Sequence, residues 1–229
     1  MKNPMIKHTF GAVAALSLFA APAALIAQDA DRDMVESGDE EAISEAVDTR
    51  TYPPINFDAS VDPDDIWVLD LSNGERVKIR LMEEWAPTHV ERIKTLTREG
   101  FYDGVIFHRV IDGFMAQGGD PTGTGQGGSQ LPNLAEEFNP MPHVRGTVSM
   151  ARATEEDSAN SQFFIVFYPR FSLDKRYTNF GRVIENMGGV DTIVRGEPPG
   201  SPTRILQASL ASDNRPVPVP APQIGRAHV

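Results

Sequence analysis

The chain of 229 residues contains no cysteine. It therefore has no disulfide framework, no thiol nucleophile and no cysteine to which a lipid could be attached. A chain without thiols suits an oxidising compartment, where an unpaired cysteine is a liability.

Basic side chains are also scarce, because 21 Lys and Arg stand against 32 Asp and Glu and give a net charge of -11. Phosphate binding depends on clustered Lys and Arg, so this balance argues against a nucleic-acid partner. The GxSxG turn of many hydrolases is missing, and His89, His108 and His143 lack the spacing of metal ligands. We expect no metal and no cofactor.

Residues 1–27 predict a secretory signal peptide. Lys2 and Lys7 precede an almost wholly apolar run over residues 10–26. We place cleavage after Ala27, with cleavage after Ala23 as the alternative. An uncleaved membrane anchor is the competing interpretation, although the run is at the short edge of a bilayer span. We expect export to the periplasm, which assumes a Gram-negative bacterium, and no stable membrane insertion after cleavage.

Two segments outside the folded domain are expected to be disordered. Residues 28–63 are rich in Asp and Glu and poor in large apolar side chains, which predicts an acidic linker. Residues 211–229 place proline at every second position from 216 to 222, which favours an extended Pro-rich tail. Residues 64–210 remain as one folded domain.

The domain opens with a predicted hairpin. Apolar-rich runs at residues 66–71 and 76–81 flank Asn73-Gly74, a pair that favours the tight type I′ turn. Pro87 suits the first position of a helix that Gly100 would end, and a second short helix is expected around residues 187–195. Further strands are predicted at residues 144–153, 162–167, 178–184 and 205–210. Many short strands with few helices favour an antiparallel barrel.

One unusual stretch covers residues 107–120, which read FHRVIDGFMAQGGD and whose apolar content predicts a further strand. Arg109 lies inside an apolar run, and because arginine keeps its charge it needs a partner or a task. The structural interpretation pairs it with a nearby carboxylate such as Asp112 or Asp120. The functional interpretation makes it the centre of a site.

The glycine-rich segment that follows formally matches GxGxxG at Gly123, Gly125 and Gly128. No strand leads directly into it and no apolar helix follows, so a dinucleotide site is rejected in favour of a turn-rich loop. Glu136, Glu137 and the acidic residues 155–157 are expected to be solvated loop charges, and His108 a structural neighbour of Arg109.

Residues 107–120 closely resemble the signature segment of the cyclophilin-type peptidyl-prolyl cis-trans isomerases. Further matching segments follow the family's order: EGFYDG at 99–104, GTVSMA at 146–151, SQFFI at 161–165, LD at 173–174 and NFGRV at 179–183. The resemblance covers about residues 64–210. It implies a mainly β fold, a closed eight-stranded antiparallel β-barrel capped by two α-helices.

The resemblance also implies roles for individual residues. Arg109 matches the catalytic arginine, and Gln117 matches the residue that orients it and the substrate carbonyl. The positions that match the proline pocket and the groove beside it are Phe114, Met115, Phe164, Leu173, Ala151 and Gln162. Three positions depart from the family's usual residues: Ser172 replaces tryptophan, which puts binding of cyclosporin-like macrocycles in doubt, Arg152 replaces asparagine, and Tyr177 replaces histidine. Arg152 and Tyr177 are still expected to contact substrate.

The sequence thus predicts an isomerase of X-Pro bonds that acts, as a monomer, on proline-containing polypeptide clients during the folding of exported proteins. The alternative is a proline-peptide binding module or holdase chaperone without significant turnover. A barrel that carries a small ligand inside is a third hypothesis, and the filled interior that the resemblance implies argues against it.

Overall fold

The computed structural model describes residues 61–218. The predicted signal peptide, nearly all of the acidic linker and the tail beyond residue 218 lie outside this range. The α-helices are α1 (Pro87–Arg98) and α2 (Met187–Asp191), and the strands are β1 (Ile66–Leu71), β2 (Arg76–Leu81), β3 (Arg109–Ile111), β4 (Met115–Gly118), β5 (Thr147–Met150), β6 (Phe163–Val166), β7 (Asn179–Glu185) and β8 (Ile205–Leu210). Within residues 61–218, no helix is long and apolar enough to cross a bilayer.

The opening hairpin has the predicted strands but a different turn. β1 and β2 pair antiparallel with Asp70 opposite Arg76. Gly74 has a φ of +90°, and its N–H donates to the carbonyl of Leu71, whereas Asn73 does not have a positive φ. A type I′ turn needs positive φ at both central residues, so that prediction is wrong. The connection is longer, and only Gly74 takes the left-handed conformation.

The first helix begins and ends near the predicted residues, and its start has a partner from a distant loop. Pro87 occupies the first turn, while Val90, Ile93 and Leu96 are buried in the core. The Glu137 carboxylate accepts from the backbone N–H groups of Thr88 and His89, both at 3.1 Å. Glu137 is therefore a helix cap and not the solvated loop charge that its sequence position suggests.

The eight strands form one antiparallel sheet in the order β3-β4-β6-β5-β7-β2-β1-β8. The sheet curls into a half-barrel, so the predicted closed barrel is an overstatement: β3 and β8, at its two ends, do not form a ladder. The two ends come close where the segment before β3 meets the start of β8: the carbonyls of Thr203 and Ile205 accept from the backbone N–H groups of Phe107 and Gly104. Both helices add apolar side chains to the core, as predicted.

The signature segment is a hairpin and not the single strand that its apolar content suggests. β3 and β4 lie within residues 107–120 and pair antiparallel, with Arg109 opposite Gln117. A turn at residues 112–114 separates them, and Gly113 has a φ of +68°. The Asp-Gly pair at 112–113 is a hairpin signal that the surrounding apolar residues obscured.

Alternation along β4 and β6 gives the sheet two apolar faces. Ala116, Phe163 and Ile165 point into the main core, whereas Met115 and Phe164 belong to a second cluster on the opposite face. The candidate site lies over this second cluster.

Candidate active site

An apolar slot forms the floor of the site. Buried Met115, Phe164, Val166 and Leu173 pack together, and the partly buried side chains against them are Ile111, Phe114, Ala151 and Tyr177. A cavity of about 420 Å³ opens above them. The expected pocket residues Phe114, Met115, Phe164 and Leu173 all line this cavity, as do Arg109, Gln117, Ala151, Arg152 and Tyr177.

Arg109 lies at the wall of the slot, with its side chain 12% exposed. Its Nε atom donates to Oε2 of Glu197 across 2.7 Å. Neither expected carboxylate is the partner, because Asp112 pairs with Arg195, and Asp120 accepts from the loop that follows it. Within residues 61–218 no protein group accepts a hydrogen bond from the two Nη atoms of Arg109, so these donors are available to a ligand.

Gln117 lies across the β3–β4 pair from Arg109 but donates to Gln162 at 2.9 Å. The hydrogen bond that Arg109 makes is with the carboxylate of Glu197, and within residues 61–218 none joins it to the amide of Gln117, whose orienting role stays a prediction. Gln162 is not among the residues that line the cavity, and its expected contact with substrate stays a prediction. Its Nε2 atom donates to the carbonyls of Gly125 and Gly127 at 3.0 and 2.8 Å. It therefore ties the glycine-rich loop to the sheet.

Asp120 organises this loop from its buried position. Its carboxylate accepts from the backbone N–H groups of Thr122, Gly125 and Gly127 at 2.7, 2.6 and 3.1 Å. Burial alone would raise the pKa of Asp120, but the hydrogen bonds outweigh it and lower the pKa to about 2. A Cβ atom at Gly127 would collide with this carboxylate, so the glycine is required for close packing around Asp120. The glycines build a tight loop, as the sequence predicts.

Arg152 covers the far side of the slot. Its guanidinium lies 5.0 Å from the centre of the Tyr177 ring, and its Nε donates to the carbonyl of Arg176 at 3.0 Å. The cation and the ring hold each other at the rim of the cavity. Both residues that depart from the family pattern here are thus part of one wall.

A hydrogen-bonded network of Ser149, His143 and Asp174 contacts the floor of the slot. Ser149 Oγ lies 2.9 Å from His143 Nε2, and His143 Nδ1 lies 2.8 Å from Asp174 Oδ1. The imidazole stacks on Phe164 with ring centres 6.2 Å apart. Burial lowers the pKa of His143, and the hydrogen bond and charge of Asp174 oppose that shift only in part. Since Ser149 is fully buried, this Ser-His-Asp arrangement holds Phe164 and offers no nucleophile.

His108 lies beside Arg109 and lines the cavity. It is 5% exposed, and neither of its ring nitrogens has a hydrogen-bond partner among residues 61–218. Burial lowers the pKa of His108, although the nearby Asp120 charge acts in the opposite direction. The side chain is therefore neutral near pH 7.

The sequence does not indicate that Glu197 and the segment around it lie at the site. Pro198 also lines the cavity, and both residues follow a loop that carries no recognisable motif. Glu197 is 88 residues from Arg109, so no local pattern links them.

Among residues 61–218, no cluster of three or more His, Asp or Glu side chains could hold a metal ion.

A family model and the similar curated proteins point to the same family. The family model described as cyclophilin type peptidyl-prolyl cis-trans isomerase/CLD matches residues 68–210. A probable peptidyl-prolyl cis-trans isomerase of Brucella suis biovar 1 (strain 1330) is 42% identical over 173 residues, which cover 69% of this chain and 88% of the relative. Peptidyl-prolyl cis-trans isomerase B of Bacillus subtilis (strain 168) is 42% identical over 128 residues, which cover 56% and 89%.

Two solved structures of proteins with names of the same family are also similar to this chain. The crystal structure of cyclophilin AquaCyp293 from Hirschia baltica is similar with a TM-score of 0.63 and 30% identity, covering 68% of this chain and 77% of that one. A Cryptosporidium parvum cyclophilin type peptidyl-prolyl cis-trans isomerase, crystallised in the presence of the dipeptide ala-pro, has a TM-score of 0.59 and 28% identity, covering 63% and 98%.

Proposed function

The chain belongs to the cyclophilin-type peptidyl-prolyl cis-trans isomerase family and is an enzyme of that type, and from this premise we propose that it isomerises X-Pro bonds through Arg109 during the folding of exported proteins. The observation that carries the proposal is the guanidinium of Arg109 at the wall of an apolar slot, with both Nη atoms free of protein acceptors in the described chain.

The reaction needs no cofactor chemistry. Rotation about an X-Pro bond is slow because amide resonance must be broken, at a barrier of about 18–20 kcal/mol. As the amide twists, the prolyl nitrogen regains a lone pair that can accept a hydrogen bond. A donor aimed at that nitrogen binds the twisted amide better than the planar one, so it lowers the barrier.

The described residues divide these tasks between them. The apolar slot of Met115, Phe164 and Leu173 receives the proline ring, because burying a ring of that size on carbon surface is favourable. Arg109 supplies the donor to the prolyl amide. The side-chain Nε2 of Gln117 donates to Gln162, and its side-chain oxygen accepts from the peptide group next to the X-Pro bond. Arg152 and Tyr177 contact the chain where it leaves the slot.

The setting of this activity is proposed from residues 1–27, which lie outside the described range. A basic start, an apolar run and small residues near Ala27 support cleavage and export to the periplasm of a Gram-negative host. Slow proline isomerisation limits the folding of many proteins, so an exported isomerase would act on newly translocated clients as a monomer.

The test uses a short Ala-Pro peptide, matched to the dipeptide present with the Cryptosporidium parvum relative. Two-dimensional exchange NMR reports cis/trans interconversion, and chemical-shift titration of the same sample reports binding. Catalysed exchange by substoichiometric protein supports the proposal. Binding without exchange would instead establish the holdase or binding-module function. N-terminal sequencing of the protein recovered from a periplasmic extract tests export.

A further inference from the structure

The segment that carries Glu197 is bonded directly to the strand that carries Arg109. We refer to residues 195–198 as the edge segment. Gly196 exchanges two backbone hydrogen bonds with Val110, at 2.8 and 2.9 Å, in an isolated antiparallel bridge. In such a bridge the next pair in the strand direction is Arg109 opposite Glu197. The backbone therefore sets these two side chains beside each other.

Neighbouring contacts fix the edge segment in this position. Gly196 has a φ of +142°, and a Cβ atom there would lie 2.6 Å from Cα of Pro199, so the backbone path requires glycine. The Arg195 guanidinium donates to Asp112 at 3.2 Å and lies 4.2 Å from the centre of the Phe167 ring. The edge segment also covers the free edge of β3, the last strand of the sheet.

The contact between Glu197 and Arg109 leaves one part of the guanidinium fixed and the other part free. Nε donates to the carboxylate at 2.7 Å, while no protein group in residues 61–218 accepts from the Nη atoms. A guanidinium is planar, so a strong bond at Nε restricts the plane in which the Nη donors point. The counter-charge also offsets the desolvation of an arginine that is 12% exposed.

We propose that Glu197 is a positioning residue for Arg109. Its carboxylate holds the guanidinium plane so that the Nη donors face the proline slot before a client binds. Glu197 is 44% exposed and acts through Arg109, not on the twisting amide. The inference rests on the proposed function, because it requires that Arg109 acts on the substrate.

The role predicts a larger effect on kcat than on KM. The apolar slot provides most of the binding, whereas the direction of the donors matters mainly in the twisted state. Replacing Glu197 with alanine frees the guanidinium to sample other rotamers, and a misdirected donor lowers kcat. Glu197→Gln keeps an acceptor oxygen at the same reach and so preserves much of the orientation.

The experiment compares four proteins: the parent, Glu197→Ala, Glu197→Gln and Asp112→Ala. The last is the matched control, since it removes the ion pair between Asp112 and Arg195 in the same edge segment without touching Arg109. We expect Glu197→Ala to lower kcat for an Ala-Pro peptide roughly tenfold with KM within about twofold. Glu197→Gln retains about half or more of the parent kcat, and Asp112→Ala matches the parent.

A second readout follows the bond itself. In ¹⁵N-labelled protein, the Nε–H signal of Arg109 should exchange slowly with water in the parent, Glu197→Gln and Asp112→Ala, and rapidly in Glu197→Ala. The backbone amide spectrum of each variant shows that the fold is retained.

Three results would overturn the proposal. An unchanged or higher kcat in Glu197→Ala would show that the carboxylate does not help the arginine, or restrains it. An equal loss in Asp112→Ala would reduce the effect to the anchoring of the edge segment. A parent that binds the peptide but does not catalyse exchange would mean that the proposed function itself has failed. This failure is seen in the parent alone, whereas the first two results appear only when the variants are compared with an active parent.

Discussion

The side-chain amide of Gln117 donates to Gln162 across 2.9 Å, and Gln162 donates onward to the carbonyls of Gly125 and Gly127. One chain of amide hydrogen bonds therefore joins β4, through Gln117, to the glycine-rich loop. The loop in turn closes around Asp120. The geometry of one side of the slot depends on a glutamine that does not itself line the cavity.

Replacing this glutamine should weaken catalysis without unfolding the protein. Gln162→Ala removes the acceptor of Gln117 and both donors to the loop, so Gln117 and the loop lose their fixed positions. We expect kcat/KM for an Ala-Pro peptide to fall roughly tenfold, about 1.4 kcal/mol of transition-state stabilisation. Exchange NMR measures the rate. An unchanged kcat/KM would show that Gln117 and the loop keep their positions without Gln162.

The slot and the core can be separated with two leucines. Leu173→Ala and Leu96→Ala each remove a buried side chain, and each should cost about 2–5 kcal/mol of unfolding free energy. Only Leu173 lines the cavity, so only its variant should raise KM, by roughly tenfold for the loss of part of one apolar wall. Urea unfolding and peptide titration make the comparison. Equal KM values in the two variants would contradict the assignment of the slot.

Stability should decline as the pH falls from 7.5 to 5. Burial places the pKa values of His108 and His143 below the ordinary value of 6.5, so the unfolded chain binds more protons than the folded one as the pH passes below 6.5. The charged neighbours are Asp120 and Arg109 for His108, and Asp174 for His143. Asp120, with a pKa of about 2, contributes a separate loss below its ordinary value of 3.8.

Urea midpoints at pH 7.5, 6 and 5 test this dependence. The parent midpoint should fall across the range, and His143→Gln, though less stable at pH 7.5, should show a smaller fall. A midpoint that stays level from pH 7.5 to 5 would mean that neither imidazole is held neutral by the fold.

Local patterns predicted the elements whose signals are local. The strands Ile66–Leu71, Arg76–Leu81 and Ile205–Leu210 have the bounds that the sequence suggests, and α1 starts at Pro87. Each has a turn residue or a helix-starting proline next to an apolar pattern. That Phe114, Met115, Phe164 and Leu173 lie around one cavity could be predicted because they stand in segments that resemble the family's, while their contact with proline stays a prediction.

Features that depend on distant partners could not be predicted. Nothing near Glu137 indicates that it caps α1, and nothing near Glu197 indicates that it meets Arg109. The hairpin within residues 107–120 was missed because apolar side chains on two faces of a sheet read as one continuous buried strand. In each case the tertiary contact, and not the local sequence, decides the role.

The catalytic role of Arg109 is tested most directly by exchange NMR of an Ala-Pro peptide with the parent, Arg109→Lys and Arg109→Ala. Lysine keeps the charge but loses the planar guanidinium, whose Nε is held by Glu197 while its Nη atoms stay free to donate, so it separates charge from geometry. We expect catalysis by the parent, a loss of at least roughly tenfold in Arg109→Ala with peptide affinity within a few-fold, and an intermediate rate in Arg109→Lys. Exchange by Arg109→Ala at the parent rate would contradict the central role of the arginine.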